Sequence, residues 1–188
     1  MWQNKLKDFI QGMNVDLRKI QPSDAQFVVT LRTDPMLSKY LNPIDSRVEK
    51  QKEWIQESLL KNEWYYVVQN KIGERVGLIR GYEWNENSFS FGSFIILPKA
   101  RLYATFESAI LFFETVFNET PVTFCNIFAK KNNFASINLS SRMGAEIVQV
   151  DSEYVYSQLT KKRFLEKLSK NKDPFLRIFN RYTARMFV

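Results

Sequence analysis

Three strand-like segments separated by short turns, followed by a proline and a strongly apolar segment, constrain this chain more than any other feature. The segments 64–69, 75–82 and 88–97 are rich in aromatic and β-branched residues, as strands are. Short turns between consecutive strands favour an antiparallel meander. Pro98 ends the third segment, because proline has no amide hydrogen for a sheet ladder.

The apolar residues of segment 103–117 recur at helical spacing and at high density, which predicts a helix buried against this sheet. Around this centre the periodicity gives the order β, α, α, β, β, β, α, β, α, β, β. The order predicts an α/β fold with a mixed, mainly antiparallel central sheet flanked by helices. It begins with a strand at 15–20 and ends with a hairpin at 147–159.

Two extensions flank this predicted domain of residues 14–160. At the N-terminus, Trp2, Leu6, Phe9 and Ile10 have helical spacing, so we expect an amphipathic helix over 1–13. At the C-terminus, 161–188 predicts a basic amphipathic helix, which can pack on the domain or contact an anionic membrane surface weakly. Of these alternatives, packing is favoured.

Histidine is absent and Cys125 is the only cysteine among 188 residues. These counts exclude a histidine general base, a Ser-His-Asp triad and an internal disulfide, and we expect no metal site. No segment has the length and apolarity of a transmembrane helix or the form of a signal peptide. We therefore expect a cytoplasmic protein.

The net charge of +7 comes entirely from the tail, because residues 161–188 contain nine basic and two acidic side chains. Residues 1–160 contain equal numbers of each. A basic surface spanning the whole domain is therefore not expected, and nucleic acid is an unfavourable partner.

The order of elements resembles the GNAT (GCN5-related) N-acetyltransferase superfamily. The segments Leu31–Pro35 and Lys39–Leu41 resemble its "LRNDP…KYL" pattern, and Asn133–Ile137 through Ala145 resembles its "N-x-x-(A/S)-I…K-L-G-F" helix. Gly92–Pro98 and Ala104–Ala109 are similar to members encoded with bacterial surface-polysaccharide and sugar-nucleotide genes. The resemblance implies transfer of an acyl group from acetyl-CoA to a primary amine, with an amino-sugar nucleotide as preferred acceptor.

A pyrophosphate of the donor needs a helix N-terminus, where backbone amides are unpaired and the dipole is positive. The turn after Pro98 supplies one, although it lacks the glycines usual in the family. An ordinary strand-to-helix loop is the alternative for this turn, and the surrounding order of elements favours phosphate binding. The backbone of the strand edge is the expected partner of pantetheine. The predicted cofactor-binding residues here are Phe94, Ile95, Ile96, Leu97, Lys99, Ala100, Arg101, Leu102, Tyr103 and Ala104.

By resemblance, Asn133 contacts the CoA arm and Ser136 is the small residue beside it; an ordinary helix cap is the alternative for Asn133. Ser140 occupies the position where many members have the tyrosine that protonates the leaving thiolate. Serine is a poor acid, so Ser140 can act only by hydrogen bonding or through water.

The carboxylates expected near the acceptor are Glu83, Glu86 and Glu107. We select Glu83 as the candidate base, with Tyr82 and Trp84 as walls of the acceptor pocket. Other functions remain open: acetylation of a protein N-terminus or a ribosomal protein, or a non-catalytic module that binds a ligand or a membrane. A homodimer is also compatible with the sequence.

Overall fold

The structure is a computed structural model that describes residues 7–169. The described chain forms two compact units. The first comprises residues 7–84 and 90–121, and the second comprises residues 85–89 and 122–169.

The sheet of the first unit is an antiparallel meander. Its strands are β1 (Phe9–Gln11), β2 (Val15–Lys19), β3 (Trp64–Asn70), β4 (Arg75–Tyr82) and β5 (Ser88–Ile96). Each strand pairs with the next in antiparallel register. This arrangement confirms the meander predicted from the three central segments.

Strand β1 corrects the predicted N-terminal helix. Phe9–Gln11 is extended and pairs with β2, with Ile10 opposite Leu17. Ile10 is buried whereas Phe9 is half exposed, which is the alternation of a strand at a sheet edge. The helical spacing of Trp2, Leu6, Phe9 and Ile10 is overridden at Phe9–Gln11 by pairing with β2, and residues 1–6 lie outside the described part.

Helices α1 (Ala25–Thr33) and α2 (Val48–Leu60) contact each other and cover one face of this sheet. Apolar side chains from both helices and from β3, β4 and β5 form one buried cluster there. Its members are Ile20, Ala25, Val28, Leu31, Ile55, Tyr65, Val67, Leu78 and Ile95. Burial of this cluster is the main force that holds α1 and α2 in place.

Helix α3 (Arg101–Glu119) contacts β2, β3 and β4 and places aromatic rings against the sheet. The ring centroids of Phe112 and Tyr66 are 6.2 Å apart, and those of Phe113 and Phe91 are 4.8 Å apart. Phe112 and Phe113 are almost completely buried. The apolar density of segment 103–117 therefore reflects packing on the sheet, as predicted.

The second unit contains β6 (Phe124–Lys130), α4 (Phe134–Met143), β7 (Glu146–Val150), β8 (Tyr154–Thr160) and α5 (Lys161–Ser169). Strand β8 pairs antiparallel with both β6 and β7. Gly144 ends α4 at a φ of 104°, in the left-handed region that glycine adopts without strain.

Helix α5 is the described part of the basic C-terminal extension. It contacts α4 and β8, and its Phe164 is completely buried. Residues 170–188, including the arginine stripe of the predicted tail helix, lie outside the described part. Within residues 7–169, no helix has the length and apolarity needed to cross a membrane.

Candidate active site

A short turn joins β5 to α3 at the place where the sequence predicts phosphate binding. A 3-10 turn, Pro98–Ala100, connects Ile96 and Leu97 to the first residue of α3. The cap residue Ala100 makes no side-chain hydrogen bond to the amides of the first turn. The amino end of a 19-residue helix thus carries its partial positive charge without a capping side chain.

Apolar residues of this junction are mostly buried, and its charged residues are exposed. Ile95, Ile96, Ala100 and Ala104 are buried, while Phe94 is partly buried with its ring 5.6 Å from that of Phe91. Leu97 packs against the apolar cluster under α1 and α2. Because these side chains serve packing, any contact of this strand with a cofactor must come from its backbone.

Two cations and one aromatic ring lie on the surface at the start of α3. Arg101 is exposed, and Tyr103 is 38% exposed. Lys99 Nζ lies 3.3 Å from Glu74 Oε2 in an exposed ion pair, which costs little to break. Leu102 lies in the same first turn of α3.

Strand β5 contains a bulge directly before this junction. Leu78 of β4 pairs with Ile95, whereas Arg80 pairs with Gly92, so two steps on β4 match three on β5. Ser93 occupies the bulge with a φ of 47°, a conformation that non-glycine residues rarely adopt. Such strain is frequent at functional sites.

Beside the bulge, Arg80 is held between aromatic rings. Its guanidinium carbon lies 4.6 Å from the ring centroids of both Trp54 and Tyr82. Its Nε and Nη2 donate to Glu63 Oε2 at 2.9 and 2.6 Å. A Cβ placed on Gly92 would lie 3.1 Å from Tyr82 Cε1, so Tyr82 rests directly on the β5 backbone.

Arg32 of α1 reaches the bulge from above the sheet. Its Nη1 donates to Ser93 Oγ at 3.2 Å, and its Nη2 donates to the Asn42 carbonyl oxygen at 2.6 Å. Burial lowers the pKa of Arg32, and the positive charge of Arg80 lowers it further. The two guanidinium groups are therefore close enough to interact on one face of the sheet.

Glu83, the predicted base, follows the last residue of β4 and is exposed. Its Oε2 accepts a hydrogen bond from Ser90 Oγ at 2.8 Å, and its φ is 53°. Tyr82 and Trp84 on either side are partly buried, and Trp84 Nε1 donates to the Gly81 carbonyl oxygen. The strand thus ends at a residue whose backbone is strained and whose carboxylate lies between two aromatic neighbours in the sequence.

The expectation that Glu107 lies near the acceptor is wrong. Its side chain is completely buried and accepts hydrogen bonds from the backbone amides of Met13 and Asn14 and from Asn14 Nδ2. Glu107 therefore anchors the β1–β2 turn and faces no acceptor. Its position on the apolar helix α3 gave no indication of this partner in the sequence.

Three predicted residues lie at the start of α4 or within it. Asn133 caps this helix, since its Oδ1 accepts from the Ser136 amide at 3.2 Å. Ser140 is buried, and its hydroxyl donates to the Ile137 carbonyl oxygen at 3.0 Å. A hydroxyl that already donates within its own helix is poorly suited to protonate a thiolate. A CoA contact by Asn133 or Ser136 stays a prediction.

Two buried groups are unsuited to acid–base chemistry near neutral pH. Burial raises the pKa of Tyr65 to about 12, against a smaller opposite effect of Arg32 and Arg80. Burial also raises the pKa of the Cys125 thiol well above its ordinary value. Cys125 is therefore not a nucleophile, which agrees with its position in the core.

Residues 14–146 match a family model described as an acetyltransferase (GNAT) domain. The chain belongs to the GNAT family. It is therefore an N-acetyltransferase with the mixed, mainly antiparallel α/β fold that the order of segments predicted, and members of this family use acetyl-CoA. No curated protein sequence matches the chain.

Solved GNAT structures resemble the chain over most of its length. FdhC, a nucleotide-linked sugar GNAT in its apo form, is 26% identical with a TM-score of 0.77, covering 86% of this chain and 95% of that protein. The spermidine N-acetyltransferase of Vibrio cholerae, solved with CoA and spermine, is 15% identical with a TM-score of 0.72, covering 81% and 98%. A GNAT acetyltransferase from Bacillus anthracis is 16% identical with a TM-score of 0.70, covering 82% and 99%. The last two show the fold alone.

Sequence reasoning missed the polar cluster on the α1–α2 face of the sheet. Arg80 follows the apolar residues Val76–Ile79 inside β4, and a charged residue in such a setting must find a partner. The sequence thus indicated that Arg80 needs a partner. It did not indicate that this partner is Glu63, or that Arg32 lies nearby.

Proposed function

We propose that this GNAT member transfers the acetyl group of acetyl-CoA to the primary amine of an amino-sugar nucleotide. The observation that carries the donor half is the corner formed by β5, the Pro98–Ala100 turn and the uncapped amino end of α3. The acceptor half is supported by the 26% identity to FdhC, a nucleotide-linked sugar GNAT.

In this proposal the pyrophosphate binds the backbone amides of the first turn of α3 that follow Arg101, since the Arg101 amide itself donates to the Pro98 carbonyl oxygen. The Arg101 side chain adds charge at the rim. No glycine is needed for this contact if the phosphate oxygens meet the helix end itself. The pantetheine arm pairs with the backbone of Phe94–Leu97 in the manner of an added strand. Lys99 can turn from Glu74 to a phosphate because their pair is exposed.

The reaction needs an amine without its proton and a stabilised oxyanion. The amine nitrogen attacks the thioester carbonyl carbon, a C–N bond forms, and the C–S bond of the tetrahedral intermediate then breaks. Glu83 accepts the proton that the amine loses, directly or through water, and the backbone at the β5 bulge stabilises the oxyanion. The leaving thiolate takes its proton from solvent, because the Ser140 hydroxyl is engaged with Ile137.

Acetyl-CoA binding tests the donor half. Addition of acetyl-CoA should raise the melting temperature of the wild-type protein. Arg101→Glu should weaken binding roughly tenfold or more, since it reverses a charge at the helix end. Lys52→Glu on α2 makes the same charge change away from this corner and should bind normally. No thermal shift with millimolar acetyl-CoA would contradict the proposal and favour a module without catalysis.

Product analysis tests the acceptor half. A panel of amines should include a nucleotide-linked amino sugar, a peptide with a free N-terminus and spermidine, each with free CoA measured as the product. The proposal requires the highest kcat/KM for the nucleotide-linked amino sugar. A preference for the peptide would instead support the alternative of protein N-terminal acetylation.

A further inference from the structure

We infer that Arg32, supported by Arg80, binds an acid group of the acceptor, so that the preferred substrates carry a phosphate as well as an amine. This inference rests on the proposed acyl transfer and deepens it. It assigns a recognition function to the arginine pair, Arg32 and Arg80, on the α1–α2 face of the first unit's sheet.

The register of the sheet places the arginine pair beside the β5 bulge. Arg80 lies opposite Tyr65 on β3 and opposite Gly92 on β5. Arg32 on α1 donates a hydrogen bond to Ser93, the residue that follows Gly92 on β5. Both guanidinium groups therefore flank the backbone distortion at which we place the reacting carbonyl.

The arginine pair and Glu63 together carry one excess positive charge, which favours binding of an anion. Glu63 Oε2 accepts hydrogen bonds from Arg80 Nε and Nη2, and Ser58 Oγ also donates to it. Within residues 7–169, no carboxylate oxygen lies within 4.0 Å of an Arg32 nitrogen. One positive charge thus remains uncompensated in a partly buried position, where attraction to an anion is stronger than in water.

Arg32 also retains hydrogen-bonding capacity. A guanidinium has five N–H donors, and residues of the described chain accept two of those of Arg32. Its Nε is shielded from solvent and finds no acceptor in that part of the chain. Nη1 and Nη2 each keep one N–H beyond these two bonds, and the oxygens of a phosphate would accept from that pair in the bidentate geometry that arginine favours.

Arg80 is fixed by its neighbours and acts by positioning. Trp54 and Tyr82 hold its guanidinium between them, and Glu63 fixes its orientation. Only 15% of its side chain is exposed. Because Glu63 compensates its charge, Arg80 holds Tyr82 in place beside the bulge and leaves direct contact with the acid group to Arg32.

The spacing of the cluster suggests the size of the acceptor. Arg32 is bound to Ser93, and Glu83 is bound to Ser90, three residues earlier on β5. Three regular strand residues span about 10 Å, and the bulge at Ser93 makes this an upper bound. A sugar ring with an anomeric phosphate fits between a cationic and an anionic anchor at that separation. An α-amino acid, in which one carbon separates amine from acid, does not.

The same charges disfavour a polyamine. A polyamine carries several positive charges, and bringing one beside the uncompensated Arg32 opposes binding. The V. cholerae enzyme of the same fold is a spermidine N-acetyltransferase.

Kinetics with a graded series of acceptors test the inference. The series is one amino sugar in neutral form, as the 1-phosphate and as the nucleoside diphosphate derivative, with spermidine added. For the wild type, kcat/KM should be lowest for the neutral sugar and spermidine. Arg32→Gln should lower kcat/KM for the two charged sugars roughly tenfold to a hundredfold and change that for the neutral sugar by less than about threefold. Arg32→Lys should restore part of the loss.

Controls separate recognition from folding and from the donor half. Arg47→Gln removes an exposed arginine that pairs with Asp45 outside the cluster and should behave as wild type. Arg32→Gln should retain the thermal shift with acetyl-CoA. Equal loss for charged and neutral acceptors would show that Arg32 only holds the Asn42 loop and the bulge, and would overturn the inference while acyl transfer stands.

A binding experiment with UDP tests the same inference without turnover. It is needed if no acceptor in the series is acetylated, or if Arg32→Gln does not fold. UDP titrated into CoA-saturated wild type should bind, and added NaCl should weaken the binding because it depends on charge. Arg32→Lys should bind UDP more weakly than wild type. Absence of UDP binding to the CoA-saturated wild type overturns the inference.

Discussion

Substitution of Glu107 by alanine should destabilise the protein without altering its chemistry directly. The carboxylate is completely buried on α3 and accepts three hydrogen bonds from the β1–β2 turn, two of them from backbone amides. Gly12 lies against the same carboxylate, since a Cβ there would be 2.7 Å from Glu107 Oε1. The turn is thus built around this side chain.

The magnitude follows from the three donors. Each partly buried donor that loses a charged acceptor costs about 1–2 kcal/mol, at the lower end of the usual range because water can reach the turn. Glu107→Ala should therefore lower the free energy of unfolding by about 4 kcal/mol. For a chain of this size that corresponds to a fall of roughly 8–16 °C in melting temperature. Glu107→Gln keeps an acceptor for both amides and should lose only about 1–2 kcal/mol.

Urea unfolding followed by circular dichroism measures these differences. Glu114→Ala, an exposed position on the same helix, is the matched control and should change stability by less than about 0.5 kcal/mol. If Glu107→Ala is within about 1 kcal/mol of wild type, the assignment of Glu107 as the anchor of the β1–β2 turn is wrong.

Three further predictions concern the candidate site and its surroundings. Glu83→Gln should lower kcat roughly a hundredfold with little change in acceptor KM; unchanged kcat would exclude Glu83 as the base. Gly92→Ala should push Tyr82 from the β5 backbone and raise acceptor KM more than acetyl-CoA KM; equal effects on both would contradict this position for the acceptor. Tyr65 has its pKa raised to about 12 by burial, so the wild type should lose up to about 3 kcal/mol of stability as pH rises from about 10 to 12, where only the unfolded chain ionises this phenol. Tyr65→Phe should lack this part of the loss, and identical pH slopes for the two proteins in urea unfolding would refute the assignment.

The sequence predicted the elements that depend on local patterns. The meander, the break at Pro98 and the buried helix that follows are all present, because alternation, proline chemistry and helical periodicity act over a few residues. The cap at Asn133 was one of two interpretations of that residue, and its hydrogen bond to Ser136 is present.

Features that depend on distant partners escaped sequence reasoning. Phe9–Gln11 forms a strand because its backbone pairs with β2. Glu107 is bound to residues more than 90 positions earlier. The meeting of Arg32, Arg80 and Ser93 depends on the register of β4 against β5, including a bulge that no local pattern indicated.

The single extra residue at Ser93 lets two residues three positions apart on β5 share one face of the sheet. Ile95 and Gly92 both match β4 residues of the α1–α2 face, although side chains three apart on a regular strand point in opposite directions. Without Ser93 the strand would be regular, because two steps on β5 would then match two on β4, and Gly92 and Ile95 would keep their faces. The loss would be local: the backbone kink at a φ of 47° and the hydroxyl that accepts from Arg32 Nη1 would both disappear. Relatives without this residue should therefore keep the packing of the sheet and place the Arg32 guanidinium differently.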